Sequence, residues 1–226
     1  MGCARPDARA ALGGVNMAVS ALDVLAWLNA LQQVYAENKQ VLTDLDSAIG
    51  DADHGINLER GFTAVQVELT KTPSADIATL LKTTATVLIR AVGGASGPLY
   101  GTFFLRASAA CAGKVELQAA DLVAMFQAGV EGIVQRGKAE PGDKTMVDVW
   151  LPAVQAMKQA LAADGSDMAG VLRAGVSAAE LGLASTIPLE AKKGRASYLG
   201  PRSVGHQDPG ATSSYLMLET ALKVWH

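Results

Sequence analysis

Apolar residues recur at three- and four-residue spacing along nearly the whole chain, and no convincing run of alternating polar and apolar residues marks a β-strand. This periodicity predicts eight helices. Short connections between them favour antiparallel neighbours, so we expect an all-α protein, an eight-helix antiparallel up-and-down barrel or bundle. The helices are predicted at about residues 20–42, 56–69, 76–91, 98–112, 118–135, 145–163, 167–183 and 211–224.

The longest break in the helical pattern is a polar stretch at residues 190–210, which contains four glycines and two prolines. A loop of this length is usually either functional or disordered. Its side chains Arg195, Arg202 and His206 favour a function, because the guanidinium fork of arginine matches phosphate oxygens. A solvated basic loop is the alternative.

Composition separates the folded part of the chain from its first residues. Half of the 226 residues are hydrophobic and 18% are charged, which excludes a wholly disordered chain. Residues 1–16 lack periodicity, and we expect a disordered extension there, followed by a single domain over residues 17–226. The formal net charge of -3 gives no reason for nucleic-acid binding.

No apolar run reaches the roughly 18 residues of a membrane-spanning helix, and the N-terminus lacks the pattern of a signal peptide. We therefore expect a cytoplasmic protein that does not bind a membrane.

Three carboxylates lie within eight residues, at Asp46, Asp51 and Asp53. Gly50 and Gly55 flank the second and third, so a turn can point these two side chains the same way, while Asp46 can fold back on them. Clustered carboxylates repel one another unless a cation neutralises them, and all-oxygen ligands select a hard ion such as Mg²⁺ or Ca²⁺. The spacing does not fit an EF-hand, so Mg²⁺ is favoured. A solvated capping loop is the alternative.

A second candidate segment is the glycine-rich stretch at residues 93–101, which runs into a predicted helix at Pro98. Glycines before a helix let backbone N–H groups approach an anion, with the positive end of the helix dipole behind them. The segment is therefore suited to a phosphate, although a tight turn between packed helices explains it equally well.

The third segment, residues 137–148, nearly spells a P-loop. Asp143 intrudes before Lys144 and Thr145, and the preceding segment is helical instead of a strand, so we reject a P-loop. A loop beside a nucleotide base, with Met146 as an adaptable apolar contact, is one interpretation. A helix cap formed by Asp143 is the other.

Four segments together resemble one family, the L subunit that is the nucleotide-binding component of dihydroxyacetone kinases. They are residues 46–57, 93–98, 141–146 and 194–200, and they match that family in content, order and spacing. The resemblance covers residues 17–226. It implies an eight-helix antiparallel barrel with ADP or ATP at one end, its phosphates held through two Mg²⁺ ions.

The resemblance also implies roles for residues of this chain. The Mg²⁺ ligands would be Asp46, Asp51 and Asp53. The residues that contact or enclose the nucleotide would be His54, Gly55, Ile56, Asn57, Ala95, Ser96, Gly137, Thr145, Met146, Arg195, Asp208, Pro209 and Gly210.

In this family the ketone is held by a separate K subunit, so the resemblance implies a partner. Phosphoryl would pass from Mg²⁺-bound ATP to dihydroxyacetone on that subunit. We favour the form in which ADP stays bound as a coenzyme and is recharged by a phosphoenolpyruvate-dependent phosphocarrier, the M subunit. The alternatives are an ATP-dependent kinase for a related small ketose and a non-catalytic nucleotide-binding regulatory module. A homodimer is left open.

Overall fold

The computed structural model describes residues 18–72, 75–163 and 167–225. Within these residues all regular secondary structure is helical apart from one pair of two-residue strands. This confirms the all-α prediction. The helices are α1 (Ala21–Glu37), α2 (Lys39–Ile49), α3 (His54–Leu69), α4 (Ile77–Ala91), α5 (Ser96–Ala110), α6 (Ala119–Gly137), α7 (Val147–Ala163), α8 (Met168–Ser185) and α9 (Pro209–Val224). The extension predicted at residues 1–16 lies outside the described residues.

Eight of these helices close into a ring. Each of α3 to α8 packs against the next helix in sequence, α1 packs against α3, and α9 returns to α1. Helix α2 is an addition to the ring and packs against α3 and α9. Because sequence neighbours are also spatial neighbours, the helices follow the predicted up-and-down order.

Two tryptophans join α1 to the last helix. Trp27 on α1 donates a 3.2 Å hydrogen bond from its indole N–H to the carbonyl of Met217 on α9. Trp225, at the end of α9, donates a 3.0 Å hydrogen bond to the carbonyl of Asp23. The two indole rings are 4.9 Å apart between centroids. Buried indole groups with satisfied N–H donors therefore close the ring.

Aromatic side chains from α1, α5, α6 and α7 meet in the core. Phe103 lies 5.1 Å from Trp150 and 6.2 Å from Phe126, and Trp27 lies 5.8 Å from Phe104, measured between ring centroids. All five side chains are fully buried. Burial of side chains of this size is the main stabilisation of the ring, and each aromatic pair adds about 0.5–1.5 kcal/mol.

The helix predicted at residues 20–42 is in fact two helices, which corrects the sequence interpretation. Helix α1 ends at Glu37, and Asn38 has φ -95° and ψ 7° before α2 begins. The amide of Asn38 donates a 2.9 Å hydrogen bond to the carbonyl of Val34. Side-chain hydrogen bonds of this kind compete with the helical backbone pattern.

Two further features lie outside the predicted pattern. Residues Arg195–Ser203, inside the polar stretch expected to lack regular structure, form a 3₁₀ segment that kinks at Gly200, where φ is 54°. Strands β1 (Val19–Ser20) and β2 (Glu116–Leu117) pair antiparallel. Among the described residues, no helix is both long enough and apolar enough to cross a membrane.

Candidate functional site

A cavity of about 380 Å³ lies where the N-terminal ends of α3, α5 and α9 approach one another. Each of these helix ends carries partial positive charge, so the cavity suits an anion. Most of the residues predicted for metal and nucleotide binding line it: Asp46, Asp51, Asp53, His54, Ala95, Ser96, Gly137, Thr145, Met146, Arg195, Asp208, Pro209 and Gly210.

Three predicted residues do not line this cavity. Gly55 faces α2, because a Cβ there would lie 2.0 Å from the carbonyl oxygen of Lys39. Ile56 is exposed. Asn57 is buried, and its side-chain oxygen accepts a 2.6 Å hydrogen bond from Arg60. In the structure these residues support the start of α3, which carries His54 into the cavity.

The three aspartates come together at one wall of the cavity. Asp46, Asp51 and Asp53 each offer a carboxylate oxygen, and these atoms lie within 4.8 Å of one another. Asp46 is buried near the end of α2, and its Oδ2 accepts hydrogen bonds from the backbone N–H groups of Asp53, at 2.9 Å, and His54, at 3.2 Å. The short turn is therefore tied back onto the helix that precedes it.

Backbone geometry makes this gathering of carboxylates feasible. Ala52, between the second and third aspartates, has φ 62°, a left-handed conformation that turns the chain sharply. At Gly50 a Cβ would lie 2.0 Å from Oδ1 of Asp46. Glycine is therefore required at position 50 for the carboxylate of Asp46 to keep its position.

The donor set fits a hard divalent cation. All three side chains are carboxylates, and Mg²⁺ is bound in proteins through one or a few carboxylates together with substrate phosphates. Ser96, at the N-terminus of α5, lies next to this wall, because its hydroxyl is 3.0 Å from Nδ1 of His54, the residue after Asp53. A metal held by the carboxylates would thus lie beside a region suited to phosphate.

His54 connects the cavity wall to the buried part of the ring. Its Nδ1 lies 3.0 Å from the hydroxyl of Ser96, and its Nε2 lies 2.9 Å from the hydroxyl of Ser213 on α9. Burial lowers the pKa of His54 to about 4, an effect that Asp46 and Asp53 oppose. The imidazole is therefore neutral near pH 7.

In the glycine-rich segment the start of α5 packs closely against the end of α4. A Cβ on Gly97 would lie 2.2 Å from the carbonyl oxygen of Val92, and Gly94 has φ 64°. Tight packing of the α4–α5 connection therefore explains Gly97. The same turn brings Ala95 and Ser96 to the cavity, and phosphate binding by this segment stays a prediction.

The loop before α7 is held by Asp148, and Asp143 plays a different part from the helix cap that the sequence allowed. Asp148 accepts hydrogen bonds from the backbone N–H groups of Gly142, at 2.5 Å, and Thr145, at 2.7 Å. Asp143 instead accepts a 2.9 Å hydrogen bond from the N–H of Glu140. The loop carries Met146, which is buried and lines the cavity.

Lys144 points into the protein. Its ammonium group donates hydrogen bonds to the carbonyls of Thr186, at 2.6 Å, Leu189, at 3.1 Å, and His206. Only 1% of the residue is exposed. This placement supports the rejection of a P-loop, in which the lysine would reach phosphates.

The 3₁₀ segment places a guanidinium over the carboxylates. Nε of Arg195 lies 2.9 Å from Oδ2 of Asp51. Ala196 and Leu199 of the same segment pack against Ile49 and Ala191, which fixes the segment to the end of α2. Arg195 thus lines the cavity beside the candidate metal ligands.

Asp208 is a second buried carboxylate at the cavity. Its Oδ2 accepts a 2.6 Å hydrogen bond from the N–H of Ala211 and caps α9. Burial raises the pKa of Asp208 to about 7, and Asp148 and Asp46 add to the rise.

Sequence reasoning missed Ser213, Tyr100 and the buried role of Lys144. The polar pair Ser213 and Ser214 is fully buried in α9, and buried hydroxyl groups need hydrogen-bond partners. Nothing in the local sequence identifies His54 as that partner, because 159 residues separate it from Ser213.

Comparison with known proteins places this arrangement in a family. The DAK2 domain family matches residues 48–223. The chain is 46% identical over 203 residues to the ADP-binding subunit DhaL of the phosphoenolpyruvate (PEP)-dependent dihydroxyacetone kinase of Escherichia coli, which covers 90% of this chain and 96% of that one. It is 40% identical over 200 residues to the ADP-binding subunit DhaL of the PTS-dependent dihydroxyacetone kinase of Lactococcus lactis, covering 88% and 95%.

Solved structures share the fold. The dihydroxyacetone kinase of C. freundii in its native form matches 99% of this chain with a TM-score of 0.69 and 23% identity. This chain corresponds to 38% of that longer chain. The C. freundii enzyme in complex with AMP-PNP and Mg²⁺ matches with a TM-score of 0.68 and 21% identity. With most of its length matched by the domain family and by full-length relatives, the chain belongs to the DAK2 domain family.

Proposed function

We propose that this chain is the nucleotide-binding, phosphoryl-transferring subunit of a dihydroxyacetone kinase. The observation that carries the proposal is the convergence of three carboxylates on a cavity bounded by three helix N-termini. Carboxylates call for a cation and helix N-termini for an anion, and a Mg²⁺-bound polyphosphate supplies both. The 46% identity to a subunit named for ADP binding supports the same assignment.

Asp46, Asp51 and Asp53 would hold the metal, for which we propose two Mg²⁺ ions. Bound there, Mg²⁺ would neutralise charge that develops on the transferring phosphoryl group. The backbone of Ala95 and Ser96 would bind phosphate oxygens, and Arg195 would close over them from the 3₁₀ segment. The protein then contributes positioning and electrostatic stabilisation.

The other end of the cavity suits the base and ribose. Met146 lines it with an apolar side chain, and Gly137 lines it with backbone that no side chain covers. A Cβ on Gly137 would lie 3.2 Å from Leu99, so a larger residue would be crowded there. Asp208, Pro209 and Gly210 line the same cavity at the start of α9, where a Cβ on Gly210 would lie 3.6 Å from Cε of Met146. We propose that adenine packs in this half of the cavity.

A phosphoryl acceptor must come from a second protein in this proposal. Relatives of similar length are named as subunits of PEP-dependent and PTS-dependent dihydroxyacetone kinases. We therefore propose a dihydroxyacetone-binding K subunit as partner and a PTS-type phosphocarrier that recharges bound ADP, all in the cytoplasm. A homodimer is compatible with this scheme and is tested by sedimentation.

Isothermal titration of the metal-stripped protein with ADP tests the site. We expect binding with Mg²⁺ and a large loss of affinity without it. Asp51→Asn should weaken Mg²⁺-ADP binding on the order of 100-fold, about 2.7 kcal/mol. Asp44→Asn is the matched control, because Asp44 is an exposed carboxylate on α2 whose Oδ1 accepts a hydrogen bond from Gln40. Equal ADP affinity with and without Mg²⁺ would reject the site.

Reconstitution tests the reaction. Mixed with a K subunit and the phosphocarrier system, the protein should phosphorylate dihydroxyacetone, and Asp51→Asn should abolish the activity. Native mass spectrometry of the purified protein distinguishes the donor: retained ADP supports the coenzyme form, and an empty protein supports exchangeable ATP. Nucleotide binding without any transfer would instead support a regulatory module.

A further inference from the structure

Four side chains form an unbroken chain of hydrogen bonds from the cavity wall into the core. The chain runs from the hydroxyl of Ser96 to His54, at 3.0 Å, then to Ser213, at 2.9 Å, and then to the hydroxyl of Tyr100, at 2.6 Å. It joins the first turn of α3, the first two turns of α5 and the second turn of α9. We call these four residues the buried relay.

The inner half of the buried relay cannot touch a nucleotide. Ser213 and Tyr100 are fully buried and are not among the residues that line the cavity, whereas Ser96 and His54 line it. Two cavity residues contact the inner half: His54, through Ser213, and Gly210, whose carbonyl accepts hydrogen bonds from Ser213, at 3.1 Å, and Tyr100, at 3.5 Å. An effect of the inner half on the bound ligand passes through His54 and Ser96 or through Gly210, and a double-mutant cycle with Ser96 distinguishes the two routes.

The position of the inner half is fixed independently of any ligand. The hydroxyl of Tyr35 donates a 2.9 Å hydrogen bond to the carbonyl of Ser213, and the hydroxyl of Ser214 lies 3.0 Å from that of Tyr100. The inner half is thus built into the core, where a satisfied polar network is rigid.

The buried relay holds the imidazole of His54 from both sides. Its Nε2 lies 2.9 Å from the hydroxyl of Ser213 and its Nδ1 lies 3.0 Å from that of Ser96, so the ring cannot turn without breaking one of these contacts. Ser213 is held in turn by the hydroxyl of Tyr100, at 2.6 Å, and by the carbonyl of Gly210, at 3.1 Å. The position of the Ser96 hydroxyl at the cavity therefore depends on the inner half.

We propose that Ser213 and Tyr100 are positioning residues that hold the imidazole of His54 against Ser96 and thereby place the hydroxyl of Ser96 for a hydrogen bond to the nucleotide phosphates. This inference rests on the proposed function, because it needs a phosphate in the cavity. It adds two residues that act on the reaction without contacting the substrate.

A double-mutant cycle on Mg²⁺-ADP affinity tests the coupling. Ser96→Ala should weaken binding about tenfold because it removes a hydrogen bond to a charged oxygen. Ser213→Ala should weaken binding by a similar factor because it releases the imidazole that places Ser96. If Ser213 acts through Ser96, the double variant should bind no more weakly than Ser96→Ala alone. Additive losses, near 100-fold for the double variant, would overturn the proposal.

Ser214→Ala is the matched control, because Ser214 has the same type of side chain, the same helix and the same full burial, and contacts Tyr100 but not His54. It should change affinity by less than about twofold. Tyr100→Phe keeps the aromatic ring and removes only the hydroxyl that contacts Ser213. It provides a second variant if Ser213→Ala unfolds. A loss in Ser214→Ala equal to that in Ser213→Ala would contradict the proposal.

NMR of the His54 ring gives a second readout of its position. With Mg²⁺-ADP bound, the ring signals should shift in Ser213→Ala and Tyr100→Phe but stay as in the wild-type protein in Ser214→Ala, and unchanged signals in Ser213→Ala would overturn the proposal. Failure of the wild-type protein to bind Mg²⁺-ADP would instead reject the proposed function. If the wild-type protein binds Mg²⁺-ADP and the affinity losses of Ser96→Ala and Ser213→Ala are additive, only the role of the buried relay is rejected.

Discussion

The ammonium group of Lys144 lies 2.6 Å from the carbonyl oxygen of Thr186, at the end of α8. The same group also donates to the carbonyl of His206, just before α9. One buried side chain therefore joins both ends of the segment that carries Arg195 over the carboxylates.

Replacing Lys144 by methionine should loosen this segment. The change leaves several buried carbonyls without a donor, and we expect the free energy of unfolding to fall by about 3 kcal/mol. Trypsin should cut faster after Arg195 and Arg202 in the variant. Lys138→Met is the control. Lys138 has a positive φ of 49°, like Lys144 with 62°, but its side chain is exposed. Equal cleavage rates in the two variants would contradict this role of Lys144.

The ion pair between Arg195 and Asp51 predicts a variant with an effect on binding alone. The side chains are 66% and 35% exposed, so Arg195→Gln should change the stability of the free protein by less than about 1 kcal/mol. Titration with Mg²⁺-ADP should show an affinity about tenfold lower, because a charged donor to phosphate is lost. Arg202→Gln, on the same segment but away from the cavity lining, should bind normally. Normal binding by Arg195→Gln would mean that the guanidinium contacts only Asp51.

Gly50→Ala should disrupt the metal site by a steric effect. The new methyl group would overlap Oδ1 of Asp46, which must turn away from the other carboxylates. We expect at least a tenfold loss of Mg²⁺-ADP affinity with the helical circular dichroism signal retained. Gly113→Ala is the comparison: its Cβ would meet no atom within 4 Å, and its φ of 75° costs about 1 kcal/mol of stability. Unchanged affinity in Gly50→Ala would show that Asp46 is not a ligand.

The raised pKa of Asp208 predicts a pH dependence of stability. In the folded protein the carboxyl keeps its proton up to about pH 7, whereas in the unfolded chain it loses the proton near its ordinary value of 3.8. The folded state therefore binds more protons between these values, and the stability due to this group is lost as pH rises from about 4 to 7.

Denaturant unfolding of wild type and Asp208→Asn across this range measures the effect. The free energy of unfolding of the wild type minus that of Asp208→Asn should fall by up to about 1.4 kcal/mol for each unit of rising pH. Asp167→Asn, at the exposed N-cap of α8, controls for the loss of a capping carboxylate. A wild-type curve parallel to that of Asp208→Asn would show that Asp208 is ionised in the fold.

The ring of helices followed from the sequence because apolar spacing is a local signal that each helix carries on its own face. The break at Asn38 did not follow, since apolar residues continue at helical spacing on both sides of it. The 3₁₀ segment was also missed, because its stability comes from packing of Ala196 and Leu199 on Ile49, far away in sequence.

The candidate site divides in the same way. The aspartate cluster is visible as a motif because its ligands lie within eight residues and need only a turn to meet. The partners of His54 on α5 and α9 depend on the closure of the ring. The buried role of Lys144 does not follow from its local sequence, because its carbonyl partners lie 42 to 62 residues further on.

Closure of the ring between α1 and α9 also has a consequence for assembly. The cavity is lined by the starts of α3 and α5 and by the start of α9, so its wall is complete only when the last helix has docked and the ring has closed. A ligand that binds only the closed ring stabilises it by mass action. Nucleotide in the cell would therefore favour fully folded chains over incompletely folded ones.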